Sequence, residues 1–237
     1  MKKIFTLILF GLLISVLNPI TTHASSMYQS GSVGVDISYP NCGVAIAKAS
    51  FGIVGVTGGI VYSDNPCLVE QSKQFSNLSL YINTGLNASS DSPYYAAALE
   101  ECSGDRMCAA YNYGKNAAVD AVAYAGSKGV SSNRWWLDVE TENTWDADVM
   151  LNRQSLQGAY DALRAHGASL IGAYSTTYQW NEITGGWKNS WPNWGASTWT
   201  TAKQAAKYCK GHEFTGGPTL LIQFRSKQSN VSQDIAC

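Results

Sequence analysis

Charge is scarce in this sequence. Only 14% of its 237 residues are Asp, Glu, Lys or Arg, against roughly 25% in an average soluble domain. The hydrophobic share is 45% and the aromatic share 11%. A disordered chain would show the opposite balance, much charge and few aromatics. The 16 basic residues do not exceed the 17 acidic ones, so the basic surplus of a nucleic-acid binder is missing. Histidine is rare and scattered (His23, His166, His212), and no two cysteines stand in a C-x-x-C pair. Those spacings argue against structural zinc. No G-x-G-x-x-G or Walker pattern follows a candidate strand, which weighs against a nucleotide-binding fold. The chain has no internal repeat, low-complexity tract or long Pro/Ser/Gly linker, so it reads as one domain.

The first residues differ from the rest. Lys2 and Lys3 precede an apolar run from Ile4 to Leu17, and small residues follow up to Ala24. These are the three regions of a secretory signal. The run is short for a membrane span, which needs about 20 apolar residues. The expected organisation is a signal peptide over residues 1–24 and a single domain over 25–237. Cleavage removes two lysines and makes the net charge, formally -1, more negative still. No later stretch is apolar enough to span a membrane, so a secreted chain free of the membrane is expected, working as a monomer.

Six cysteines remain: Cys42, Cys67, Cys102, Cys108, Cys209 and Cys237. An even count in an exported chain suggests three disulfides, with 15 possible connectivities. Pairing of nearest neighbours is the favoured one: Cys102 with Cys108 across a short Gly-containing loop, Cys209 with Cys237, and Cys42 with Cys67.

Short apolar runs alternate with helical stretches. Strands are expected over 32–38, 51–57, 78–84, 135–140, 170–175, 191–196 and 219–225. Pro192 makes the sixth the poorest of them. Helices are expected over 109–127, 148–166 and 202–209, the second being the most regular amphipathic segment and ending at Gly167. Strands alternating with helices imply a parallel sheet with helical crossovers. A single (β/α)8-type, TIM-like barrel is the natural fold class, in which active sites sit at the C-terminal ends of the strands.

Trp135-Trp136-Leu137-Asp138-Val139-Glu140 carries the most information. Side chains on a strand alternate faces, so Trp136, Asp138 and Glu140 share one side. Two carboxylates two residues apart then point the same way at a strand's C-terminal end. They cannot both ionise freely, so one is expected to hold a proton at neutral pH. That condition suits an acid working beside a charge stabiliser. Asp36 lies near the end of the first strand, Gln223 on the last expected strand, and Asp234 eleven residues later. In a closed barrel, first and last strands are neighbours, so Asp36 and Asp234 can converge. Tyr174 ends the fifth strand, where its hydroxyl can orient a substrate group. All eight tryptophans lie between Trp135 and Trp199. Trp135 is expected to face the helices and Trp136 the lumen. About half are expected to be packing residues, since Trp is highly buried on average. Trp145, Trp180 and Trp194 are the candidates for stacking on a sugar.

Taken in order, Gly34-Val35-Asp36-Ile37-Ser38, the 135–140 run with Trp145, Gly172-Ala173-Tyr174-Ser175-Thr176 with Trp180, the 192–197 segment, Ile222-Gln223-Phe224 and Asp234 resemble the family 25 glycoside hydrolases, the Chalaropsis-type lysozymes. The resemblance spans nearly the whole chain after residue 24. It implies a modified β/α barrel that cuts peptidoglycan between N-acetylmuramic acid and N-acetylglucosamine, with no metal or organic cofactor. It also implies a bacterial cell-wall glycan or related polysaccharide as partner. Glu140 matches the family's general acid, Asp138 the assisting carboxylate, and Asp36 and Asp234 two further groove acids. Two segments depart from the pattern. The charged segment usual at the second strand end is here Gly55-Val56-Thr57-Gly58-Gly59. The aromatic-histidine segment at the third is here Tyr81-Ile82-Asn83-Thr84-Gly85, which makes Tyr81 and Asn83 candidate substrate contacts. A catalytically silent carbohydrate-binding protein on the same barrel is the alternative, and a hydrolase of another glycan such as chitin is a third reading.

Overall fold

The computed structural model describes residues 28–227 and 229–237. The expected signal peptide lies outside the described residues. Eight strands close into a barrel: β1 (Val33–Ile37), β2 (Gly52–Gly55), β3 (Leu78–Asn83), β4 (Arg134–Asp138), β5 (Leu170–Ser175), β6 (Asn193–Ala196), β7 (Thr219–Phe224) and β8 (Ser232–Ala236). The helices are α1 (Leu68–Ser72), α2 (Pro93–Glu101), α3 (Arg106–Ser127), α4 (Val149–Ala165), α5 (Thr177–Thr184) and α6 (Ala202–Ala205). Two of them start on an aspartate, as helix ends require donors to be satisfied. Asp105 accepts from the Met107 amide at 2.8 Å before α3, and Asp148 from the Met150 amide at 2.9 Å before α4.

The sheet corrects the all-parallel expectation in one place. Strands β1 to β7 pair in parallel, but β8 runs antiparallel between β7 and β1. The reason is length. A parallel return needs a crossover of a dozen or more residues, and only residues 225–231 separate β7 from β8.

Strand parity divides the core in two. Val35, Ile37, Val54, Leu80, Ile82, Leu137, Val139 and Ile171 face outward into the core layer that also takes in the buried faces of α3 and α4. Inside the barrel lie Tyr28, Phe51, Ile53, Trp136, Leu170, Tyr174, Trp194 and Leu221. Trp136 fits there because its neighbour across β5 is Gly172; a Cβ at that position would lie 2.3 Å from the indole ring. The apolar lumen thus fills from below and leaves the C-terminal mouth to polar groups. Three disulfides join Cys42 to Cys67, Cys102 to Cys108 and Cys209 to Cys237. No helix among the described residues is long and apolar enough to cross a membrane.

Candidate active site

Four carboxylates meet at the barrel mouth. Asp36 ends β1, Asp138 ends β4, Glu140 follows two residues on, and Asp234 sits on β8 opposite Gly34 and Gln223. Asp36, Asp138 and Glu140 line a cavity of about 80 Å³ with Tyr81, Tyr174, Trp194 and Gln223. Asp234 is fully buried behind Trp194 and accepts its indole N–H at 2.7 Å.

Asp138 is held from three sides. Asn83 Nδ2 donates to its Oδ2 at 2.5 Å, and Thr57 Oγ1 donates to Asn83 Oδ1 at 2.7 Å. Its backbone carbonyl accepts from Thr84 Oγ1 at 2.6 Å and Asn143 Nδ2 at 3.2 Å. Its Oδ1 is buried and takes no N–H or O–H from another group among the described residues, and the Glu140 carboxyl is its acidic neighbour. Two acids buried side by side favour a state in which one of them carries a proton. Burial, then the charge of Glu140 and its hydrogen bond, hold Asp138 well above the ordinary aspartate range. Burial raises Glu140 as well, against the lowering effect of its bond to Asp138. The two carboxyls therefore titrate together and not independently. Glu140 is the more open member of the pair, while Asp138 is only 5% exposed.

A second pair forms across the barrel seam. Burial pushes Asp36 up to about 6, opposed by hydrogen bonds from Gln223 and Asp234, and burial with the charge of Asp36 holds Asp234 well above its usual range. Gln223 Nε2 donates to Asp36 Oδ2 at 3.0 Å, while Tyr174 OH donates to Gln223 Oε1 at 2.9 Å. The amide of Gln223 is thereby fixed in orientation, and one polar chain runs across the mouth from β5 to β1.

The tryptophans divide differently from the expectation. Trp135 packs under the helices and Trp136 fills the lumen. Trp194 lines the cavity. Trp145 donates its indole N–H to the Glu140 carbonyl at 2.8 Å, so it braces the acid's backbone. Trp180, expected on the mouth, is instead fully buried, with its ring against Trp187, Trp191 and Phe214. Thr176 caps a helix there, accepting from the Gln179 amide at 3.1 Å, and that helix turns Trp180 inward. Thr57 is the residue that sequence reasoning passed over. It continues the inward parity of Ile53 and Gly55 and, by the β2–β3 register, falls opposite Asn83. Gly55 itself is required by Tyr81, whose ring would lie 2.7 Å from a Cβ there.

A closed β/α barrel with paired, buried carboxyls at its C-terminal mouth is the architecture of a glycoside hydrolase of the lysozyme kind. The chain belongs to the lysozyme-like protein 1 family, whose model matches residues 61–214. That span contains Asp138, Glu140, Tyr174 and Trp194, and leaves Asp36, Gln223 and Asp234 outside. Solved structures share the fold at low identity. The bacterial lysozyme of Streptomyces coelicolor aligns with a TM-score of 0.56 and 17% identity over 88% of this chain and 93% of its own. The family 25 glycosyl hydrolase GHIP, a virulence factor of Streptococcus pneumoniae, aligns at 0.55 and 16% over 87% of each chain. A muramidase from Trichobolus zukalii aligns at 0.54 and 16% over 87% of this chain and 93% of its own. No curated protein matches in sequence.

Proposed function

We propose that the protein is a secreted muramidase, cleaving the N-acetylmuramic acid–N-acetylglucosamine linkage of bacterial cell walls as a monomer. The observation that carries this reading is the Asp138–Glu140 pair at the barrel mouth, both acids raised by burial and Glu140 the more open of the two. Substrate entering from that end meets Glu140 first. Glu140, protonated, passes its proton to the glycosidic oxygen as the bond to the anomeric carbon breaks. Asp138 is left ionised, with the Asn83 amide already aimed at its Oδ2. The cavity of about 80 Å³ is larger than the roughly 30 Å³ share of one water and suits an acetamido group, whose oxygen attacks the anomeric carbon while Asp138 holds its N–H. Water then opens that intermediate, returning its proton to Glu140.

Secretion is supported by the three disulfides, which persist in oxidising compartments. The signal over residues 1–24 is tested by the N-terminus of the exported chain, expected at Ser25. The activity is tested with Glu140→Gln, which should lower reducing-end release from cell walls by roughly 10²- to 10⁴-fold with folding unchanged. Wild-type protein that binds walls but releases no reducing ends at any pH would overturn the enzyme reading.

A further inference from the structure

A second cavity stands beside the carboxylates. Its volume is about 270 Å³, and the loops after β2, β3 and β4 build it on the same face as Glu140. One wall runs from Glu142 to Thr144, so it begins two residues beyond Glu140. The other wall is aromatic. Tyr62 and Tyr94 stack with ring centres 3.7 Å apart and planes within 2°, and Tyr113 meets Tyr62 edge-on at 5.3 Å. Tyr62 is fixed by its hydroxyl, which donates to the Tyr113 carbonyl at 2.8 Å, and by a left-handed backbone at φ 59°. Tyr94 remains 49% exposed and Ile60 67% exposed. The charged residues of the lining are Asp91 and Glu142, and no basic residue lines it.

We propose that this cavity is a subsite for one neutral N-acetylhexosamine unit of the glycan chain, beside the sugars at the cleaved bond. The inference rests on the glycan-hydrolase reading given above. An aromatic ring covered on one face and bare on the other presents a flat surface for the C–H face of a pyranose. Carboxylates and amides at the rim accept from sugar hydroxyls. An all-acidic rim rejects a phosphate or a free carboxylate. The volume lies just under the roughly 300–1,000 Å³ of small-molecule sites, which fits one ring and not a run of them. The shared 140–144 segment makes the subsite continuous with the catalytic pair.

The probe is a series of N-acetylglucosamine oligomers from two to six units, uncharged and free of peptide, titrated calorimetrically into the full exported chain. Wild-type affinity should rise once the oligomer is long enough to reach Tyr94. Tyr94→Ala should remove that rise, roughly three- to tenfold for the longest oligomer, and leave the dimer unchanged. Tyr94→Phe, which keeps the ring, should restore it. Equal losses for dimer and hexamer, no loss at any length, or no binding by the wild type would overturn the subsite. So would a loss confined to peptide-bearing wall fragments, which would assign the cavity to the stem peptide. The enzyme reading is judged separately by reducing-end release. A chain that hydrolyses walls with no Tyr94 dependence refutes only the subsite, and Tyr94-dependent binding without hydrolysis refutes only the enzyme.

Discussion

Asn83 reaches Asp138 across 55 positions of sequence. Its amide donates to Asp138 and its carbonyl oxygen accepts from Thr57, so Thr57 fixes which way the amide points. A hydrogen bond to a carboxylate favours the charged form. Removing the donor in Asn83→Ala should therefore raise the apparent pKa of the Asp138–Glu140 pair further and weaken the anion that Asp138 becomes during the reaction. The expected result is a loss in kcat of ten- to a hundredfold, about 1.4–3 kcal/mol, and a basic limb of the pH profile shifted upward. Thr57→Val leaves the amide present but free to turn, and should give a smaller loss in the same direction. Measured kcat profiles between pH 4 and 9 decide it. An unshifted profile for both variants would mean that Asn83 is only a packing residue.

The elements show why part of this was legible and part was not. Strands β1, β3, β4, β5 and β7 coincide closely with apolar runs, and α3 and α4 with the Ala-rich and amphipathic stretches. Parity along β4 alone placed Asp138 and Glu140 on one side. Strand β8 escaped because Ser232-Gln-Asp-Ile-Ala carries no apolar alternation; its pairing on both edges, not its sequence, makes it a strand. The short helices α2 and α5 escaped for want of a full amphipathic period, and with α5 went the burial of Trp180. Thr57 escaped because cross-strand register is invisible in a linear sequence. Register also predicts where the barrel is intolerant. Gly172→Ala places a methyl group into Trp136, whose ring meets Trp194 at 5.8 Å. Overpacking of this kind costs about 1–3 kcal/mol, seen as a lower urea midpoint. Catalysis should fall beyond that, because the displaced Trp194 is also the donor to Asp234. The seam strand gives a matching expectation. Opening Cys209–Cys237, which closes a 28-residue separation, by a double Ala substitution should lower stability by about 3 kcal/mol.

At the scale of the whole molecule, four raised carboxyls in one mouth set the pH dependence of both stability and activity. Each is held in its native environment more protonated than in the unfolded chain. Between the unfolded and folded pKa values the native state therefore binds more protons than the unfolded state, and stability falls as pH rises. For Asp36 the window runs from its ordinary 3.8 to about 6. Its contribution is fully present below about 4 and lost through 6, on the order of 3 kcal/mol in all. Asp138 and Asp234, raised further, extend the loss above that window. The urea midpoint should thus rise as pH is lowered from 7 to 5. Asp36→Asn, which cannot ionise, should flatten that rise by its own share and leave the part due to the other acids. A midpoint that climbs from pH 5 to 7 in the wild type would mean that these carboxyls are ionised and solvated, and the paired-acid site would fall with it. Activity follows the same sign, because the proton that relieves the buried charge on Asp138 and Glu140 is the one Glu140 must deliver. On the proposed muramidase reading, stability and activity are both greatest on the acid side of neutrality for a single reason, the burial of these acids.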